Sequence, residues 1–276
     1  MLQSANHDLQ ACLDRLDRLG VFPDAAARIL RVTQNPDATL ADLEHAVGSD
    51  PVLSARVLQV ANSALYGLQH KVGTLRRAVQ MLGLEGTRGI AFAFAASALG
   101  AEGGPLARDL YDHALATAAV VKMVAPNVPG VHAGMLYATA LVHDLGLQLL
   151  LILEHDASSE MQAKLGHGKK LIVAERLHFG FDHAQLGAAG LERWGLPGPA
   201  AELVRSHHDA LSNRHPARAL LQVADDVAQC LMEEDAEPET LAERGEWHPA
   251  APILNVHPRV WAEVAMELPT LVMEMS

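Results

Sequence analysis

Seven side chains in the second half of the chain have the types and the order that hold divalent metal: His113, His143, Asp144, His183, His207, His208 and Asp225. Neutral imidazole and ionised carboxylate are ligands for zinc, iron and manganese, and such ions activate water and neutralise phosphate charge. His143-Asp144 lies in the otherwise apolar run Leu141-Val-His-Asp-Leu-Gly146. Burying a histidine and a carboxylate side by side is costly unless something pairs them, and a metal ion would satisfy both. Alone, the dipeptide reads sooner as a hydrogen-bonded pair joining two helices. It does not stand alone. His113 sits on the preceding helix, with Asp109 one turn earlier on the same face as an added ligand or orienting partner. His183 follows the turn Gly180-Phe-Asp182, His207-His208 ends a later helix, and Asp225 lies in Val223-Ala-Asp-Asp-Val227. The order across successive helices is more specific than any one member. A chain with 15 histidines brings some together by chance; His7, His45, His70, His132, His155, His167, His178, His215, His248 and His257 read as surface or loop residues.

The elements that would position these groups are helices. Hydrophobic residues make up 50% of the chain but aromatics only 4%, so the core is built from Ala, Leu and Val, which favours packed helices over sheet. Helical periodicity recurs from end to end and no run alternates as a strand would. The spacing predicts helices over His7–Leu19, Pro23–Thr33, one from Leu40 capped by Thr39, and one from Pro51 to Ser63 started by Ser49 or Asp50. Asn62, Ser63, Tyr66 and Gly67 read as residues that end this helix and pin the next loop. Arg56 is placed to pair with Asp50 or Glu85. Thr74 caps a helix ending at Leu82-Gly83, and Glu85–Leu99 reads as a buried helix. Gly100–Pro105 is the best internal break, so two lobes are expected, about 15–100 and 105–230.

In the second lobe the pattern gives Ala107–Val124, one long apolar helix from His132 towards Glu154, Leu171–His178, His183–Trp194, a turn at Leu196-Pro-Gly-Pro199, Ala200–His208 and Pro216–Met232. Residues 231–276 read as an acidic solvated linker, Glu233–Glu246, followed by an amphipathic extension, Pro258–Met275, that Pro269 should kink or stop. The fold class is all-α.

Two stretches narrow this further. Asp50-Pro-Val-Leu-Ser-Ala-Arg-Val-Leu-Gln-Val-Ala-Asn-Ser63 with Tyr66-Gly67, and Val72-Gly-Thr-Leu-Arg-Arg-Ala-Val-Gln-Met-Leu-Gly83, resemble the signature of the HDOD domain. Ala140-Leu-Val-His-Asp-Leu-Gly146, Glu175, His183, Leu191-Glu-Arg-Trp-Gly-Leu-Pro197 and His207-His208 agree, so the resemblance covers residues 15–230. It implies two packed helical lobes, the C-terminal one similar to HD phosphohydrolases, in which helices present such residues to one or two metal ions. HDOD proteins are regarded as signalling or regulatory modules without established catalysis. The chain departs from the catalytic HD-GYP relatives in two places. Their His-Asp is followed by a phosphate-binding lysine where this sequence has Leu147, and no Gly-Tyr-Pro element follows His207-His208-Asp209. Losing that cation removes electrostatic stabilisation from a phosphoryl transition state.

The resulting expectation is a regulatory protein acting through contacts with another protein, with a divalent metal such as Fe, Mn or Zn in the second lobe; the alternative is a metal-dependent phosphohydrolase acting on a nucleotide or other phosphoester. A formal net charge of -12 argues against general nucleic-acid binding. Cys12 and Cys230 form no CxxC unit and read as ordinary thiols. The first residues do not read as a signal peptide, and the apolar stretches Gly89–Leu99 and Leu145–Leu153 fall short of a membrane span. A cytoplasmic protein is expected, whose last segment could pack on its own domain or on a second copy as a homodimer.

Overall fold

The computed structural model of the chain describes residues 9–19, 28–29, 31–32, 35, 37–67, 71–99, 104–166, 168–194, 198–210, 215–233 and 236–275. Among these there is no strand; the fold is all-α and HD-like. The expected helix at Pro23–Thr33 lies largely outside the described residues, as do the break at 100–103, the Leu196-Pro197 turn, and His7, His70 and His167.

The N-terminal part holds α1 (Leu9–Arg18), α2 (Leu40–Gly48), α3 (Pro51–Ala61) and α4 (Leu75–Leu99). Thr39 and Asp42 form a reciprocal capping box at the start of α2, and the Asp50 carboxylate accepts from the Val52 and Leu53 amides at the start of α3. Asn62 pins the loop after α3: its Nδ2 donates to the Leu58 and Val72 carbonyls, and its Oδ1 accepts from Val72 N at 2.6 Å. The two helices expected around Gly83 share one run, α4, in which Gly83 alone has non-helical dihedrals at φ 69°. Only glycine takes that left-handed region without strain. Arg56 does not follow the sequence expectation. It donates to the Met275 carbonyl and lies over the Tyr111 ring, while Arg88 takes Glu85 and Asp50 serves as a cap.

The second part begins with α5 (Gly104–Val124), followed by α6 (Ala133–Ala140), α7 (Leu145–Leu153), α8 (His155–Leu165), α9 (Lys169–Phe179), α10 (His183–Arg193), α11 (Gly198–Ser206) and α12 (Pro216–Leu231). The single long helix expected from His132 to Glu154 is broken: residues 141–144 form turns, and Asp144 has φ -100°, ψ 18°. The whole stretch Ala133–Leu153 is apolar and long enough to cross a membrane, contrary to the shorter runs counted from sequence, but 94% of its most apolar window is buried inside the protein. It is the core of the bundle.

Beyond α12 the structure departs from the expected linker. Residues 238–247 form α13 (Pro238–Trp247), followed by the short α14 (Ala251–Leu254) and α15 (Pro258–Met275). Its acidic residues face solvent, but Leu241 and Gly245 are buried, and Gly245 lies so close to Trp261 that a Cβ there would come within 2.2 Å of the indole. α15 runs unbroken through Pro269. A proline inside a helix costs about 3 kcal/mol, whereas each fully buried Leu, Val or Met contributes about 1.5–3 kcal/mol. Trp261, Val264, Leu268, Leu271, Val272 and Met275 are all buried, so packing outweighs the lost bond. α15 lies against α5, α13 and α3, and Glu274 accepts from the Ala64 amide at 2.7 Å. The C-terminal segment therefore clasps both halves of the molecule.

Candidate metal centre

The break between α6 and α7 decides where the His-Asp pair points. Interrupting the helix frees the Ala140 carbonyl to accept from His143 Nδ1 at 2.8 Å, which leaves Nε2 facing inward, where it offers a lone pair when the ring is neutral. α7 then crosses α10 at extreme proximity. A Cβ on Gly146 would lie 1.9 Å from the His183 carbonyl oxygen, so only glycine lets the two helix starts meet. That contact seats Asp144 opposite His183.

The other donors arrive from four further elements. α5 brings His113, α10 begins with His183, the turn after α11 carries His207 and His208, and α12 carries Asp225. All seven residues singled out in the sequence meet in two groups that share Asp144. In one group His113 Nε2 lies 3.0 Å from Asp225 Oδ1 and 3.7 Å from Asp144 Oδ2, and His143 Nε2 lies 3.3 Å from Asp144 Oδ2. In the other, Asp144 Oδ1 is 3.5 Å from His183 Nε2 and 3.4 Å from His207 Nε2, and the His183 and His208 Nε2 atoms are 3.0 Å apart. Within each group every ligand atom lies within 4.8 Å of the others. Ligands at about 2.1 Å from one ion are spaced by about 3–4 Å.

The donor set fits metal on chemistry as well as spacing. His183 Nδ1 donates to Glu175 Oε2 at 2.7 Å, and His207 Nδ1 donates to the Val204 carbonyl at 2.6 Å. With His143, that makes three imidazoles whose outer nitrogens are fixed by a partner and whose inner nitrogens face the cluster, the arrangement that orients metal-binding histidines. His143 Nε2 and His207 Nε2 are buried and make no well-aligned hydrogen bond among the described residues, although Asp144 oxygens lie 3.3 and 3.4 Å away. A buried imidazole nitrogen in that state is costly; a cation between the groups would relieve it.

The electrostatics oppose one another across the cluster. Burial pushes His143 down, but Asp144 and Asp225 outweigh it and hold the imidazole well above its ordinary value. Burial is likewise overcome at His183 by Glu175 and Asp144, which raise it. Burial would raise Asp144 and Asp225, yet the surrounding imidazoles bring both well below the usual carboxylate range. His208 differs: burial and then repulsion from His207 and His183 lower it to about 2.

Asp109 is not part of the cluster. It is exposed, because a residue four back on a helix lags its partner by about 40°, and here that rotation carries it past the rim. Two residues escaped notice as parts of the site. Glu175 is fully buried and accepts from both the amide and the ring of His183; a lone acidic residue on the inward face of α9 was the available signal. His248, read as a surface residue, is half-buried and lines the cavity beside the cluster. That cavity, about 510 Å³, is lined by His207, His208 and Asp225, by Lys169, Gln222, Gln229 and His248, and by the carboxylates of Asp209 and Asp226 among others.

With fold and centre in view, the class is clear: an all-α HD-like protein with a buried His/Asp cluster compatible with a metal site. Residues 19–210 match the HDOD domain, and the chain belongs to the HDOD family. An uncharacterized protein of Treponema pallidum (strain Nichols) is 28% identical over 207 residues, 71% of this chain, and the chain spans 39% of that relative's length. The structure is similar to that of a candidate phosphohydrolase of Shewanella amazonensis SB2B, with TM-score 0.74, 25% identity and coverage of 100% of this chain and 98% of the other. A second protein of that organism, a candidate metal-dependent phosphohydrolase, has TM-score 0.66 and 19% identity over 97% of this chain and 98% of its own. Asp225 lies outside the matched family segment.

Proposed function

We propose that this HDOD protein holds two divalent metal ions and hydrolyses a phosphoester bound in the adjoining cavity. One observation carries the reading: all seven candidate ligands meet in two four-residue groups that share Asp144 and adjoin a cavity. His113, His143, Asp144 and Asp225 would hold one ion, and Asp144, His183, His207 and His208 the other. Bound there, the ions would supply an activated water and charge neutralisation for the phosphate. The chain's own residues do the rest. Glu175 and the Ala140 and Val204 carbonyls fix the imidazoles. Lys169 is the only Lys or Arg among the described residues lining the cavity. From its mouth the ammonium can meet a phosphate oxygen, a role the buried Leu147 cannot fill. The resemblance to a candidate phosphohydrolase supports the same reading.

A specific observation favours a second reading. Leu147 packs with Leu110, Leu151 and Leu171 in an apolar cluster, where the catalytic relatives have a phosphate-binding lysine. On that reading the centre is a sensing site in a regulatory protein that acts by binding another protein. The two separate cleanly by metal analysis of purified protein together with assays on 4-nitrophenyl phosphate and bis(4-nitrophenyl) phosphate. The hydrolytic reading expects about two ions per chain and turnover that Asp144→Ala abolishes. Metal without turnover would leave the regulatory reading standing.

A further inference from the structure

The cavity beside the centre does not end at the metal groups. A second hollow of about 280 Å³, lined by Thr240, Glu243, Arg244 and Trp247, shares Asp226, His248 and Pro249 with the first. The two hollows adjoin at those three residues, so their linings run from His207-His208 to Trp247 at the end of α13. The second hollow is built entirely by residues after 210, beyond the matched family segment.

The paired hollows are furnished for a flat ring that hydrogen-bonds at its edges. Trp247 is 70% exposed, although an indole is among the most costly side chains to leave in water. The chain's other tryptophans are treated otherwise: Trp261 is buried and Trp194 packs against the core. Between Trp247 and the metal groups stand polar groups with fixed orientation. His248 Nδ1 accepts from the Ala250 amide at 3.0 Å, which leaves its Nε2 to carry the proton and donate. Gln222 Nε2 donates to the Asp209 carbonyl at 2.8 Å, which leaves its Oε1 to accept. A phosphate alone would need neither.

We infer that the groove formed by Gln222, Gln229, His248 and Trp247 is a subsite for a nucleobase or similar flat heterocycle, carried by an ester whose phosphate lies at the metal groups. The inference rests on the proposed metal centre taking a phosphate ester; it does not require turnover. The ring stacks on Trp247, and the His248 and glutamine side chains read its edge.

The test compares adenosine 5′-monophosphate with ribose 5-phosphate by calorimetric titration of manganese-loaded protein, with Trp247→Ala and Trp247→Phe alongside. Stacking of a base on an aromatic side chain is worth about a 10-fold change in affinity. The nucleotide should bind about 10-fold tighter than the sugar phosphate. Trp247→Ala should erase the difference and Trp247→Phe keep most of it, with ribose 5-phosphate binding and manganese content unchanged in both. Equal binding of the two ligands, or a difference that survives Trp247→Ala, overturns the subsite and leaves the hydrolytic reading intact. Binding of both as expected without hydrolysis of any ester overturns the hydrolytic reading and leaves the subsite. Binding of neither overturns both.

Discussion

Asp144 is the residue on which the centre turns, because its two oxygens face different groups: Oδ2 lies beside His113 and His143, Oδ1 beside His183 and His207. Substitutions should therefore fall into two classes. Asp144→Asn, which keeps the shape and removes the charge, should take the metal content from about two ions to fewer than one, while His208→Ala should remove one and leave the other. Inductively coupled plasma analysis of both variants decides this; equal loss in the two would mean a single site. Lys169 makes a separate prediction, since it is exposed at the cavity mouth and serves no packing role. Lys169→Ala should weaken inhibition by inorganic phosphate about 10-fold, in line with loss of one charge-assisted hydrogen bond of about 1.5 kcal/mol. Metal content should not change, and Lys169→Arg should restore most of the effect. That these seven side chains would gather was readable in sequence because histidine and aspartate are costly inside apolar helices. Asp109 was misread, since spacing gives a face only to within the helical drift. The placement of His248 depends on contacts between distant segments, which periodicity does not encode, whereas Glu175 meets His183 only eight residues on, across the turn at Gly180.

At the level of elements, the centre exists because helices begin or break where a donor is needed. Asp144 precedes α7, His183 opens α10, and His207-His208 follow the last turn of α11. The crossing of α7 and α10 at Gly146 sets the distance between two of these starts. Gly146→Ala would drive a methyl group into the His183 carbonyl. A backbone atom cannot swing aside, so the helices must separate, at a cost of about 3 kcal/mol. In a chain of this size that corresponds to a fall in Tm of about 6–12 °C. Thermal unfolding followed by circular dichroism checks the magnitude, and metal content should fall with it because Asp144 and His183 ride on the two helices; full metal content with an unchanged Tm would refute the account. Caps and starts such as Thr39 and Asp50-Pro51 were legible because their chemistry is local. The break at 141–144 was not. An unbroken apolar run has the same composition whether or not it bends, and here the bend goes with tertiary contacts of His143 with Asp225 and of Gly146 with His183. The acidic composition of 233–246 likewise concealed α13, which buries only Leu241 and Gly245.

Over the whole molecule, the cluster couples protonation, metal and stability, and the signs can be worked out. In the metal-free protein His143 and His183 are held above their ordinary value by buried carboxylates. A raised imidazole contributes stability that is complete below the unfolded value near 6.5 and is lost as pH rises through the higher folded value. Asp144 and Asp225 are held below theirs, so their contribution is present above about 3.8 and disappears only as pH falls through the depressed values. The metal-free protein should therefore be steadiest from about pH 4 to 6.5 and should lose stability as the imidazoles deprotonate and leave two buried carboxylates without counter-charge. Metal ions replace the protons: they require neutral imidazole, so their binding strengthens over that same rise. Saturating manganese at 100 times its Kd would add about 2.7 kcal/mol, and that gain should grow with pH. Paired thermal melts with and without manganese, taken from pH 5 to 9, should diverge, the metal-free curve falling while the loaded one holds. If the two curves stayed parallel across the range, proton and metal would not be competing for the same nitrogens, and the centre would be an internal salt-bridge network, not a metal site.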